Sequence, residues 1–166
     1  MIDKKRIRRE ASKIKESIIG IRRDIHMHPE LGMEEKRTSK LVRTYLDNLG
    51  IKNKIIANTG VIGTIYGRDP KGPTIGIRAD MDALPILEAN NVSYASKCSG
   101  KMHACGHDAH TAILLGTATV LNSMKDELPG NIRLIFQPAE ETTGGAEIMI
   151  NEGALKDPDV NGVIGL

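Results

Sequence analysis

Residues 102–111, MHACGHDAHT, set Cys105 among His103, His107 and His110, so three of the five histidines and one of the two cysteines fall within ten positions. Thiolate, imidazole and carboxylate are the usual protein ligands of zinc and related divalent ions. A thiol beside an imidazole can also act as a nucleophile with its base. Cys105 and His107 flank Gly106. On a loop both side chains can turn toward one ion. On a regular helix positions two apart do not share a face, so the ligand reading requires the helix to start at or after His107.

Two acidic groups accompany this stretch. Asp80-Met81-Asp82 follows the run TIGIRA, and Glu140-Glu141 follows NIRLIFQPA. A catalytic metal site needs one carboxylate on the ion and often a free one to accept a proton from water. Neighbours in an irregular turn can diverge and do both. Taken alone, Glu140 and Glu141 read more simply as negative charge at a helix N-terminus. Taken with HACGHD and DMD, they fit metal-assisted hydrolysis, whereas a Cys105 nucleophile with His107 or His110 as base leaves the acidic residues without a task. His26 and His28 flank the end of a helix and read as structural or supporting groups. Ser12-x-x-Lys15 lies in a charged helix without companion motifs, and the H-E-x-x-H, G-x-S-x-G, phosphate-loop and dinucleotide fingerprints are absent.

These residues need elements to hold them. Ile7, Ala11, Ile14, Ile18, Ile21 and Ile25 recur at three- and four-residue steps and predict an amphipathic helix ending before Pro29. A second helix is predicted over 34–49, stopped by Gly50. Runs 54–57, 61–66 and 74–79 read as strands, with GRDPKG a turn between the last two. HTAILLGTATVLNSMKDEL, apolar nearly all round, predicts a buried helix. NIRLIF is a strand, GGAEIMINEGAL a short helix, and NGVIGL a last apolar strand, which is either interrupted or a sheet edge. This alternation predicts an α/β sandwich, in which sites form beyond the carboxyl ends of strands. Those ends are where DMD and QPAEE lie.

Composition narrows the function classes. At 166 residues with 40% apolar content, the chain is about one domain with an aliphatic core. A net charge of +2 with interspersed signs calls for neither nucleic acid nor a membrane surface. No secretory leader or bilayer-spanning run is present, so a cytoplasmic location is expected. Cys98 and Cys105 are then expected as thiols rather than a disulfide, and the triplet Asn91-Val92-Ser93 as idle.

DIHMHPELGMEE, GIRADMDALPI, HACGHDAHTAILLGTA and IRLIFQPAEE followed by GGA, in this order, closely resemble the M20 metallopeptidases. The resemblance is to the amidohydrolase branch of aminoacylases, hippurate hydrolases, N-acetyldiaminopimelate deacetylases and plant auxin-conjugate hydrolases. It runs from about Ile18 onward. It implies a three-layer, zinc-exopeptidase-like α/β catalytic domain, of which residues 1–166 would be the N-terminal portion. It implies metal ligation by Cys105, His107 and Glu141, with the thiolate a plausible bridge between two divalent ions (Zn, Mn, Co or Ni). Glu140 would be the general base that takes a proton from water and returns it to the leaving amine. Asp82 would orient or tune a ligand, with Asp80 a supporting group; His103 and His110 have no ligand role in the resemblance and are left as supporting candidates. The implied reaction is hydrolysis of an N-acyl amino acid.

Family members are more than twice as long. They carry an inserted dimerisation and lid domain, absent here, and two further ligand histidines downstream. The sequence is therefore expected to be an incomplete catalytic domain from a truncated or split gene. It would be inactive alone or act as an assembly module with a separately encoded C-terminal half.

Overall fold

A computed structural model describes residues 3–165. Helix α1 (Lys4–Met27) opens with the Asp3 carboxylate accepting from the Lys5 N–H and ends just before Pro29. Helix α2 (Lys36–Asn48) starts two residues later than the sequence suggests. The reason is a cap from outside the helix, since the Glu30 carboxylate accepts from the N–H groups of Arg37 and Thr38 at 2.8 Å each. Gly50, at φ +69°, closes α2 in the left-handed conformation expected of it.

Strands β1 (Asn53–Ile56) and β2 (Gly60–Ile65) form a hairpin around Ala57, Asn58 and Thr59. Strand β3 (Thr74–Asp80) leads through a long loop to helix α3 (His107–Asn122), and β4 (Asn131–Gln137) follows. Helix α4 (Gly145–Asn151) and strand β5 (Val160–Gly165) complete the described residues; Leu166 of the predicted last strand lies outside them. The sheet order is β1-β2-β4-β3-β5. Strand β3 is parallel to both β4 and β5, while β2 is antiparallel to its two neighbours.

Alternation along the strands builds two cores. Val61, Ile65, Leu134 and Phe136 face α2 and α3, meeting Val42, Leu46 and Leu115. Ile62 and Ile135 face the other way and meet Met149 of α4 and Ala154. The result is the predicted three-layer arrangement, with α1 packed chiefly along α3. Three expectations shift. Helix α3 begins three residues before its predicted start and ends at Asn122, where a 3-10 turn takes over. Its Ile113 is 46% exposed, so it is not buried all round. The first half of α1 leaves Ile7 and Ala11 exposed, because only the C-terminal part of its apolar stripe reaches the core. Strand β5 lies at the sheet edge with Val163 and Ile164 exposed. Both cysteines are free thiols, and among the described residues no helix is long and apolar enough to cross a membrane.

Candidate metal centre and active site

Because β3 and β4 are parallel neighbours with Asp80 opposite Gln137, their carboxyl ends release DMD and QPAEE at the same edge of the sheet. The third part arrives from the loop before α3. Gly106 sits at φ +87° and the helix begins at His107, the condition under which Cys105 and His107 can turn to one point. They do. Ligand atoms of Cys105, His107 and Glu141 all lie within 4.8 Å of one another. His107 Nε2 is 3.9 Å from both Glu140 Oε2 and Glu141 Oε1.

The other face of the His107 ring is fixed. Nδ1 lies 3.0 Å from the Asp82 carbonyl oxygen and 3.1 Å from Asp82 Oδ1. Both partners only accept, so Nδ1 carries the proton and Nε2 is the atom left for a ligand bond. The second Asp82 oxygen accepts from the Glu141 N–H at 3.0 Å. One carboxylate, 1% exposed, therefore orients both the imidazole and the turn that carries Glu141. Burial alone would raise the Asp82 carboxyl. Hydrogen bonds from His107 and from the Glu141 and Glu140 backbone outweigh it and hold Asp82 below the usual range. Burial likewise opposes charge on His107, but the Asp82 hydrogen bond and the Asp80 and Asp82 charges raise it.

Cys105 is exposed. Its thiol is pushed up to about 11, first by a hydrogen bond with Glu141, then by burial and the charges of Glu141, Glu140 and Asp82. A thiol, an imidazole with its far nitrogen anchored, and clustered carboxylates form a donor set that fits a divalent ion. The negative field that holds the proton on sulfur is the field a dication would relieve.

Asp80 lies beside this group. Its carboxylate is 3.5 Å from His107 Nε2 and bonds His110 Nδ1 and Arg78 at 2.7 Å each. Asp80, His107 and His110 also satisfy the 4.8 Å criterion. His103 is buried, and neither ring nitrogen has a hydrogen-bond partner among the described residues. His26 is buried and bonds Asp108 and Glu88, whereas His28 is half-buried near Asp24. Sequence reasoning missed Glu35. It reads as one more charge in the first turn of the predicted second helix, yet its buried carboxylate accepts from the Ala139 N–H beside Glu140. The only sequence sign was its place in the HPELGMEE stretch, which gives no hint of a bond 104 residues away.

Known proteins resemble this chain over most of its length. The chain is 51% identical over 150 residues to IAA-amino acid hydrolase ILR1-like 5 of Arabidopsis thaliana, covering 90% of this chain and 34% of that relative. It is 50% identical over 140 residues to N-acetylcysteine deacetylase of Bacillus subtilis strain 168, covering 83% and 37%. The crystal structure of the Bacillus subtilis YXEP protein, described as a dinuclear metal binding peptidase from the M20 family, superposes with a TM-score of 0.87 at 46% identity, over 93% of this chain and 43% of that one. The chain thus spans little more than a third of the length of these curated relatives. The family model described as Peptidase family M20/M25/M40 matches residues 76–166, more than half of the chain. Asp82, Cys105, His107, Glu140 and Glu141 all fall inside that match, at the converging ends of β3, β4 and the α3 turn, and the chain belongs to this family.

Proposed function

We propose that this chain is the N-terminal portion of an M20 catalytic domain and contributes to the metal-dependent hydrolysis of N-acyl amino acids. The observation that carries the reading is the convergence of Cys105, His107 and Glu141 with Glu140 beside them. The substrate class is supported by relatives named as an IAA-amino acid hydrolase and an N-acetylcysteine deacetylase.

On this reading Cys105, His107 and Glu141 hold a divalent ion, and Asp82 fixes the ring and turn that present two of them. When bound, such ions supply Lewis acidity toward an amide carbonyl. The chain's own contribution to the chemistry is Glu140, a half-exposed carboxylate 3.9 Å from His107 Nε2. Water adds to the amide carbon, Glu140 accepts its proton, and the proton passes to the nitrogen as the C–N bond breaks. The acyl group leaves as a carboxylate and the amino acid as a free amine. A Cys105 nucleophile is disfavoured, because activation needs a lowered thiol pKa and the carboxylates around Cys105 raise it. Free Cys98 and Cys105 suit a reducing, cytoplasmic setting.

Elemental analysis of the purified chain tests the reading. Zinc or manganese near one equivalent, lost in Cys105→Ala and Glu141→Ala, is the expected result. No metal, or metal content unchanged by both substitutions, would overturn it.

A further inference from the structure

Glu35 is an ionisable side chain with no exposed surface, far in sequence from the centre just described. Burying a carboxyl group is costly unless both oxygens are used. Here they are: Oε2 meets the Thr59 hydroxyl at 2.5 Å, and Oε1 accepts from the Ala139 N–H at 2.9 Å. Ala139 directly precedes Glu140 and Glu141 and holds a left-handed φ of +49°, a conformation an alanine keeps only when its surroundings impose it.

The surroundings do so from every side. The Ala139 carbonyl accepts from the Gly145 N–H at 3.2 Å, and the Glu141 N–H is held by Asp82. Gly32 presses so closely on the turn that an added Cβ would lie 2.6 Å from Thr142 Oγ1 and 3.0 Å from the Ala139 Cα. Met33, Ala57 and Asn58 are also left-handed, and Asn58 Nδ2 donates to the Met33 carbonyl at 3.0 Å. Four of the five non-glycine residues with positive φ among the described residues (Met33, Ala57, Asn58 and Ala139) thus belong to the three turns that Glu35 ties together.

We propose that Glu35 is a positioning residue: by clamping the hairpin turn at Thr59 to the Ala139 N–H, it aims Glu140 and Glu141 at Cys105 and His107. The inference rests on the reading of Glu141 as a metal ligand. An amide at position 35 can donate to Thr59 Oγ1 and accept from Ala139, so Glu35→Gln keeps the clamp. Glu35→Ala removes it, and Glu35→Asp is one methylene too short to span both partners.

Zinc affinity of the full chain is measured by chelator competition for wild type, Glu35→Gln, Glu35→Ala, Glu35→Asp, Glu141→Ala and the double variant Glu35→Ala/Glu141→Ala. Glu35→Ala and Glu35→Asp are expected to weaken binding about 10- to 100-fold, and Glu35→Gln by less than about threefold. The double variant should bind no more weakly than Glu141→Ala, because the clamp acts through that side chain. Affinity unchanged in Glu35→Asp, or losses from Glu35→Ala and Glu141→Ala that add in full, would overturn the proposal. If Glu35→Ala fails to fold, the contrast between Glu35→Asp and Glu35→Gln decides.

A second readout needs no metal. Amide hydrogen exchange at Ala139 should quicken by about tenfold or more in Glu35→Asp while Leu134 in β4 stays protected. Equal exchange at Ala139 in wild type and variant would overturn the clamp. A wild-type chain that takes up no zinc would instead defeat the metal reading, leaving the exchange at Ala139 to decide the role of Glu35.

Discussion

His103 gives the pH dependence of folding a specific shape. It is 3% exposed, and neither ring nitrogen has a hydrogen-bond partner among the described residues. Burial is the main cause that brings its pKa down from 6.5 to about 4; the charges of His26 and His107 add to this, while those of Asp108 and Asp82 oppose it. For a base with a depressed folded-state pKa, the unfolded chain binds the proton first. Above pH 6.5 both states are neutral and His103 contributes no slope. Between 6.5 and about 4 the unfolded state holds a proton that the folded state refuses, so stability falls as the solution is acidified, by about 1.4 kcal/mol per pH unit. Over that window the loss is about 3 kcal/mol, a large fraction of the 5–15 kcal/mol typical of a domain. Replacing His103 with leucine removes the titration while keeping an apolar side chain of similar size. Urea unfolding of both proteins at half-unit steps from pH 7 to 4 isolates the effect, because the carboxylates common to both cancel in the difference. The variant should gain on wild type by about 3 kcal/mol across the series. Parallel curves would refute the burial argument.

Four other outcomes follow from the same geometry. Zinc affinity should rise about tenfold per pH unit through the neutral range, because the Cys105 proton must leave, and more steeply below the raised pKa of His107; an affinity flat with pH by isothermal titration would contradict the ligand assignment. Asp82→Asn should weaken zinc binding about 10- to 100-fold with the far-UV circular dichroism unchanged, since it loosens both the His107 ring and the Glu141 turn. Gly145→Ala should destabilise by about 1–3 kcal/mol or more in urea melts, its Cβ falling 2.0 Å from the Pro138 carbonyl oxygen; Gly20→Ala in α1, with nothing within 4 Å, should stabilise by about 0.5–1 kcal/mol.

The three parts of the site were legible in the sequence because each sits at the end of a strongly patterned element. TIGIRA and NIRLIF are short apolar runs that read as strands, they pair in parallel, and parallel strands release their following residues at one end of the sheet. Gly106 marked where the chain turns before α3. What the pattern could not carry was anything set by contacts distant in sequence. The stripe of α1 reads as uniformly inward, yet only its Ile25 end is fully buried. His103 and His110 share one short motif, but His110 meets the Asp80 carboxylate while His103 is enclosed with no hydrogen-bond partner among the described residues. The neighbours that separate them, Asp80 at the end of β3 for His110 and His26 of α1 with its ring 6.3 Å from that of His103, lie outside the motif.

Glu35 shows why the supporting scaffold is harder to read than the ligands. Ligands must be Cys, His or carboxylate, so the chemistry limits the residue types and leaves a visible signature. A clamp on a backbone N–H needs only an acceptor in the right place, and its place here is fixed by three left-handed turns that no local pattern announces. Asp80, Asp82, Glu140 and Glu141 crowd around Cys105 and His107. Without a cation their mutual repulsion favours relaxing the turns apart. The bonds that hold Ala139 and Glu141 by their backbones resist that relaxation. On the proposed reading the protein therefore keeps its carboxylates close before an ion arrives, and their mutual repulsion is what ion binding relieves.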